Sequence, residues 1–130
     1  MRTYDLVVRE TAGQDLWKVN CAAIGRKLGV GRSVVNRYVS ILRRSERLRG
    51  KSLEYWSPEA HALRFISSDR DNPPTHREVS DYTGVPGTRC YIALHVLRNL
   101  GYINFDDHKH RSITISPKGE EHLKKEKENE

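Results

Sequence analysis

Cysteine is nearly missing from this 130-residue chain: Cys21 and Cys90 stand apart, with no CxxC spacing. That argues against a disulfide framework or a zinc site and fits a reducing, cytoplasmic compartment. Long apolar runs are missing too. None approaches the ~18 residues that a membrane span requires, and the first residues show no secretory-signal pattern. The residue sets of catalysis are equally scarce. No glycine-rich phosphate loop follows a strand, because Gly29-Val30-Gly31 falls between helical patterns, and no Ser/His/Asp or Cys/His set has supporting spacing. Asp106-Asp107 belongs to a hairpin tip rather than to a catalytic dyad. Asp107, His108 and His110 make an HxH group in that same tip, an arrangement more often solvated than metal-bound. No enzymatic activity, cofactor or metal is expected.

Acidic residues are nearly absent from one stretch in particular. Between 26 and 51 stand nine cations, with Glu46 as the lone acid. The overall charge is +6, but residues 1–57 hold 12 Lys/Arg against 5 Asp/Glu, whereas residues 58–130 hold 11 against 12. A block this one-sided repels itself unless a polyanion neutralises it, which points to a phosphate-backbone partner. With 36% hydrophobic and 31% charged residues, any core is thin and assembled from short helices.

The pattern along the chain is one of short helices with clear punctuation. Tyr4 to Glu10 carries Tyr4, Val7 and Val8 on one face. Leu16, Trp17 and Val19 form a short strand or anchor the core. Asn20 offers an N-cap to a helix over 21–28, and Gly29 ends it, since glycine enters the left-handed conformation without steric cost. A second helix is predicted from Arg32 to about Arg44, with Val34, Val35, Tyr38, Val39, Ile41 and Leu42 as its apolar stripe. Gly50-Lys51-Ser52 predicts a turn between two short strands. Ser57-Pro58 then opens a helix with Pro at its first position. Thr75 and Glu78 form a capping box, Gly84 ends that helix, and a further one runs from Thr88 to Leu100. Residues 102–105 and 112–115 read as a hairpin, and Ser116-Pro117 starts a last helix whose charged end, from Lys124, is expected to fray. Gly29-Val30 repeats as Gly84-Val85, an offset of 55, and Ser57-Pro58 as Ser116-Pro117, an offset of 59.

The expected architecture is therefore mainly α with small β-hairpin wings, a three-helical core in each half. The halves are 1–57, a helix-turn-helix with a short wing, and 58–130, a winged helix-turn-helix with a charged C-terminal helix. In CAAIGRKLGVGRSVVNRYVS, Ile24, Leu28, Val30, Val35 and Tyr38 form the buried set, Gly25 permits a close crossing and Gly29 makes the turn. The order PPTHREV…TG…LHVLRNLGYI…RSITIS…G, spanning about Pro58 to Leu123, resembles winged helix-turn-helix domains, including the LexA DNA-binding domain and MarR-type regulators. The resemblance implies sequence-reading or dimer-forming winged domains. The length leaves no room for a self-cleaving serine/lysine protease domain, so a full LexA-type repressor is not expected.

Helical spacing turns Arg32, Ser33, Asn36, Arg37 and Ser40 outward, where Arg suits guanine O6/N7 and Asn suits adenine N6/N7. Arg43, Arg44, Arg47, Arg49 and Lys51, with Arg26 and Lys27 from the preceding helix, suit phosphates. In the second copy Thr88, Arg89, Tyr91, Ile92 and His95 are expected to face outward, and Lys109 and Arg111, beside His108 and His110, to line the wing. The expected function is sequence-specific binding of double-stranded DNA, as a transcriptional regulator, with the chain nucleoid-associated when bound. Two alternatives remain: a plasmid or viral replication or maintenance initiator reading adjacent sites, and a protein-interaction adaptor. The second copy serves either a homodimer or direct DNA contact.

Overall fold

A computed structural model of the chain describes residues 2–107 and 109–129. It is mainly helical, with one two-stranded antiparallel sheet among the described residues. No described helix is long and apolar enough to cross a membrane. The chain divides into two compact units between Arg47 and Leu48, ten residues before the expected border at 57/58.

The first unit holds α1 (Thr3–Thr11), α2 (Cys21–Leu28) and most of α3 (Arg32–Leu48). Its core is Val7, Cys21, Ile24, Val35 and Val39, with Val19, Leu28, Val30 and Tyr38 packed against it. Each such aliphatic side chain contributes about 1.5–3 kcal/mol when fully buried, so a core this small depends on every member. Tyr4 of α1 meets Tyr38 of α3 edge to face, with ring centroids 5.4 Å apart. Residues 16–19 form no strand; they make a turn, and Val19 anchors the core instead.

The second unit is built from α4 (Pro58–Ser68), α5 (His76–Thr83), α6 (Gly87–Asn99), β1 (Ile103–Asn104), β2 (Thr114–Ile115) and α7 (Pro117–Glu128). Helices α4, α5 and α6 pack on one another; α4 touches β2, α6 touches β1, and α7 touches β2. Ile103 pairs with Ile115 and Asn104 with Thr114. Leu63, Leu94, Leu97 and Ile103 are fully buried. Ser57 and Ser116 each cap the helix that a proline opens, accepting from Ala60 N and Gly119 N. The last helix continues to Glu128, past the expected fraying point at Lys124.

The repeat is more regular in the structure than in the residues. Helices α1, α2 and α3 start at 3, 21 and 32; α4, α5 and α6 start at 58, 76 and 87, a constant offset of 55. Asn20 caps α2 by accepting from Ala23 N, and Thr75 caps α5 by accepting from Glu78 N. Gly29 and Gly84 both take left-handed C-cap conformations, with φ of 70° and 73°.

The copies diverge after the third helix. The short wing expected in the first half is not there: residues 47–56 contain no strand, and α3 runs four residues past the predicted end at Arg44. Arg44 to Leu48 includes no helix breaker, the first being Gly50, with φ +76°. Ser45, buried on that extension, donates to Ile41 O at 2.7 Å. Leu53 is buried, and Ser57 N–H bonds back to Glu54 O, which folds the connection into a turn. A lone two-stranded ribbon here would be marginal in any case.

Candidate nucleic-acid interface

The crossing of α2 and α3 is set by backbone contact. Gly25 O accepts from both Gly29 N and Val30 N, the latter at 2.8 Å. A Cβ built on Gly25 would lie 2.6 Å from Val30 O, closer than any ordinary side-chain contact. At the equivalent place in the second unit, Ser80 fills this space with a hydrogen bond, its hydroxyl donating to Val85 O at 2.6 Å. Both solutions draw the turn onto the middle of the preceding helix and fix the direction in which the next helix leaves.

For α3 that direction splits the helix into two chemical faces. Val35 and Val39 are wholly buried, while Arg32, Ser33 and Asn36 are exposed, and Arg37 and Ser40 are half-buried. The Ser40 hydroxyl bonds back to Asn36 O at 2.8 Å, so it is already engaged along the helix. Neither α2 nor α3 has an acidic residue in its first turn. The positive ends of both helices therefore have no acidic side chain of their own to neutralise them.

A shallow cleft of about 410 Å³ gathers Lys18, Asn20, Arg32, Asn36 and Arg43. Lys18 was not singled out from the sequence, and its neighbour Trp17, expected in a short strand or as a core anchor, is instead 52% exposed. Arg43 and Arg47 lie over the Trp17 ring, at 5.4 and 5.0 Å from its centroid, and Arg43 Nε donates to Leu16 O at 2.8 Å. The loop thus holds two arginines in fixed directions. A tryptophan followed by a lysine just before an N-cap was the only signal that could have revealed this.

The remaining cations of the first unit are less closely grouped. Arg26 and Lys27 are exposed on α2, and Lys27 pairs with Glu10 at 2.9 Å. Arg44 is half-buried. Arg49 and Lys51 are exposed but belong to the second compact unit.

In the second unit the expectations need correction. Thr88 and Arg89 are exposed at the start of α6, but Tyr91 and Ile92 are half-buried and His95 is 3% exposed. The outward stripe fails because α6 is buried on nearly all sides from Ala93 to Leu97. The His95 ring sits 4.2 Å from Tyr91 and 5.1 Å from Phe105, and Arg98 donates to its Nδ1 at 3.1 Å. Burial first, and then Arg98, lowers its pKa to about 4, so the ring is neutral at pH 7.

The loop joining β1 to β2 is likewise tied down. Arg111, in a left-handed conformation with φ 54°, pairs with Glu78 at 2.6 Å and reaches Pro73 O at 3.3 Å. Glu78 also completes the capping box of α5, and the bond from Arg111 holds its carboxyl below the usual range. Asp107 pairs with Arg98 at 3.4 Å, Lys109 and His110 are exposed, and His108 lies outside the described residues.

The structure thus brings Arg32, Asn36 and Arg43 together with Lys18, buries His95, and ties the exposed Arg111 to Glu78. Compared with protein-family models, curated proteins and solved structures, the chain matches none.

Proposed function

We propose that this chain binds double-stranded DNA in a sequence-dependent way and acts as a transcriptional regulator, with α3 of the first unit as the reading helix. On this reading α2 and α3 form a helix-turn-helix. Helices α4 to α6 with β1 and β2 form a winged helix-turn-helix, related to the LexA-like and MarR-like domains that the sequence resembles. One observation carries the proposal: α3 buries Val35 and Val39 while presenting Arg32 and Asn36 in one cleft with Lys18 and Arg43. Asn36 supplies the bidentate partner for a base edge; the surrounding cations supply phosphate contacts that set register and orientation. No cofactor or catalytic step enters this reading.

The constant 55-residue offset supports a second reading, a replication or maintenance initiator whose tandem units read directly repeated sites. A homodimer through the C-terminal half would draw on Trp56 and Tyr82, 88% and 69% exposed, rather than on Tyr91 and Ile92. Selection of bound oligonucleotides from a random duplex pool tests these readings together. A motif with two-fold symmetric half-sites supports a dimeric regulator, and direct repeats support the initiator. No enrichment at any salt concentration would refute DNA reading and leave the protein-interaction adaptor.

A further inference from the structure

The near-neutral charge of the C-terminal half conceals a cationic cleft. Its arginines are largely answered: Arg64 pairs with Glu126 at 3.1 Å, Arg77 with Asp81 at 3.8 Å, Arg98 with Asp107 at 3.4 Å, Arg111 with Glu78 at 2.6 Å, and Arg70 with Glu120. Glu126 is held from a second side by His122, 3.1 Å away. These contacts engage acids of α5, α7 and the hairpin, and none of them reaches a lysine of α7.

Within the second unit, residues 48–52, the end of α6 and α7 enclose a cleft of about 420 Å³. Arg49, Lys51, Lys118 and Lys125 line it, opposed by Glu121. All four cations are exposed, and none forms an ion pair among the described residues. Lys118 is held in place: its Nζ donates to Leu100 O at 2.6 Å and stands 4.5 Å over the Tyr102 ring. Ser52 and Asn99 add hydrogen-bonding groups at the edge. A concave, polar site with four positive charges against one negative charge fits a dianionic or polyanionic phosphate group and suits neither an apolar ligand nor a cation.

We propose that this cleft is a phosphate-binding site and that it seats the sugar-phosphate backbone of the duplex. It makes α7, which the sequence marks only as a last helix with a charged end, part of the binding surface. The duplex as the source of the phosphate rests on the function proposed above; the affinity of the cleft for phosphate does not.

The test is the full-length double variant Lys51→Ala/Lys125→Ala, two exposed positions whose loss leaves the core untouched. Binding of a selected duplex and a scrambled duplex is measured over a range of salt. Separately, inorganic pyrophosphate is titrated while the amide shifts of Gly50, Lys51 and Gly101 are followed. The expected result is an equal loss on both duplexes, a log–log salt slope shallower by about 2, and pyrophosphate shifts that the variant abolishes. Pyrophosphate shifts with an unchanged duplex slope would keep the site and assign it to a free polyphosphate. The same shifts in a chain that binds no duplex would refute the proposed function but not the cleft. An unchanged slope together with no pyrophosphate response would overturn this inference and leave the reading helix standing.

Discussion

Replacing Gly25 by alanine sets two effects of opposite sign against each other. Alanine is the better helix former by about 0.5–1 kcal/mol, so propensity predicts a gain in stability. The structure predicts a loss. The new Cβ would lie 2.6 Å from Val30 O, and real Cβ contacts essentially never fall below 3.0 Å, so the turn must open by about 0.4 Å. The opposing atom is backbone and cannot rotate away. It also belongs to the residue whose N–H bonds Gly25 O at 2.8 Å, so opening the turn strains that bond. Overpacking of this kind costs about 1–3 kcal/mol, which leaves a net loss of about 0–2.5 kcal/mol, centred near 1. The assay is thermal unfolding of the full chain in a Trp56→Phe background, where fluorescence reports Trp17 and hence the first unit. A loss of this size lowers that unit's midpoint by several degrees. A raised midpoint would show that the close crossing of α2 and α3 is not as described.

Two further outcomes follow from other contacts, at Trp17 and His95. Trp17→Ala releases Arg43 and Arg47, and at about 0.5–1 kcal/mol for an exposed cation–π contact, duplex affinity should fall by roughly two- to fivefold on every sequence. Unchanged affinity by fluorescence anisotropy would separate those arginines from the DNA. For His95 the folded pKa of about 4 lies below the unfolded value of 6.5, so above pH 6.5 neither state binds the proton and stability is unaffected. As pH falls from 6.5 towards 4 the unfolded chain alone takes it up, and on the order of 3 kcal/mol is lost by the end of that window. Burial also lowers His76, which adds to the same slope, whereas Glu78, held low by Arg111, contributes only below about 4.5. His95→Phe, which keeps a ring against Tyr91 and Phe105, should flatten the urea midpoint between pH 6.5 and 5; an unaltered slope would place the titrating group elsewhere.

Much of the fold was legible because its punctuation is local. Asn20, Gly29, Thr75 with Glu78, Gly84 and the two Ser-Pro pairs each satisfy helix-end groups within a few residues, and the structure places all of them at helix ends. Gly25 was legible as a small residue at a close crossing, although the atom it must avoid was not. Tertiary surroundings decided what the sequence missed. The end of α3 was set too early because the apolar stripe stops at Leu42, yet Ser45 is buried and the helix formers continue to Leu48. His95 was placed outside because a polar residue at that spacing normally is, whereas α6 is enclosed on nearly every side. At the candidate site, Arg32 and Asn36 followed from helical period alone. Lys18 and Trp17 did not, because a loop without period reveals its neighbours only once folded. Arg111 was read only as a wing cation; its pairing with Glu78 was not legible, since a hairpin's sequence says nothing of the capping box it meets.

The central claim is that Asn36 reads a base while the cations around it only position the duplex. Its most direct test compares the dissociation constants of wild type and Asn36→Ala for one selected duplex and its scrambled counterpart at a single salt concentration. The account predicts a loss of about 1–3 kcal/mol on the selected duplex and no change on the scrambled one. An equal loss on both, or none on either, would contradict it.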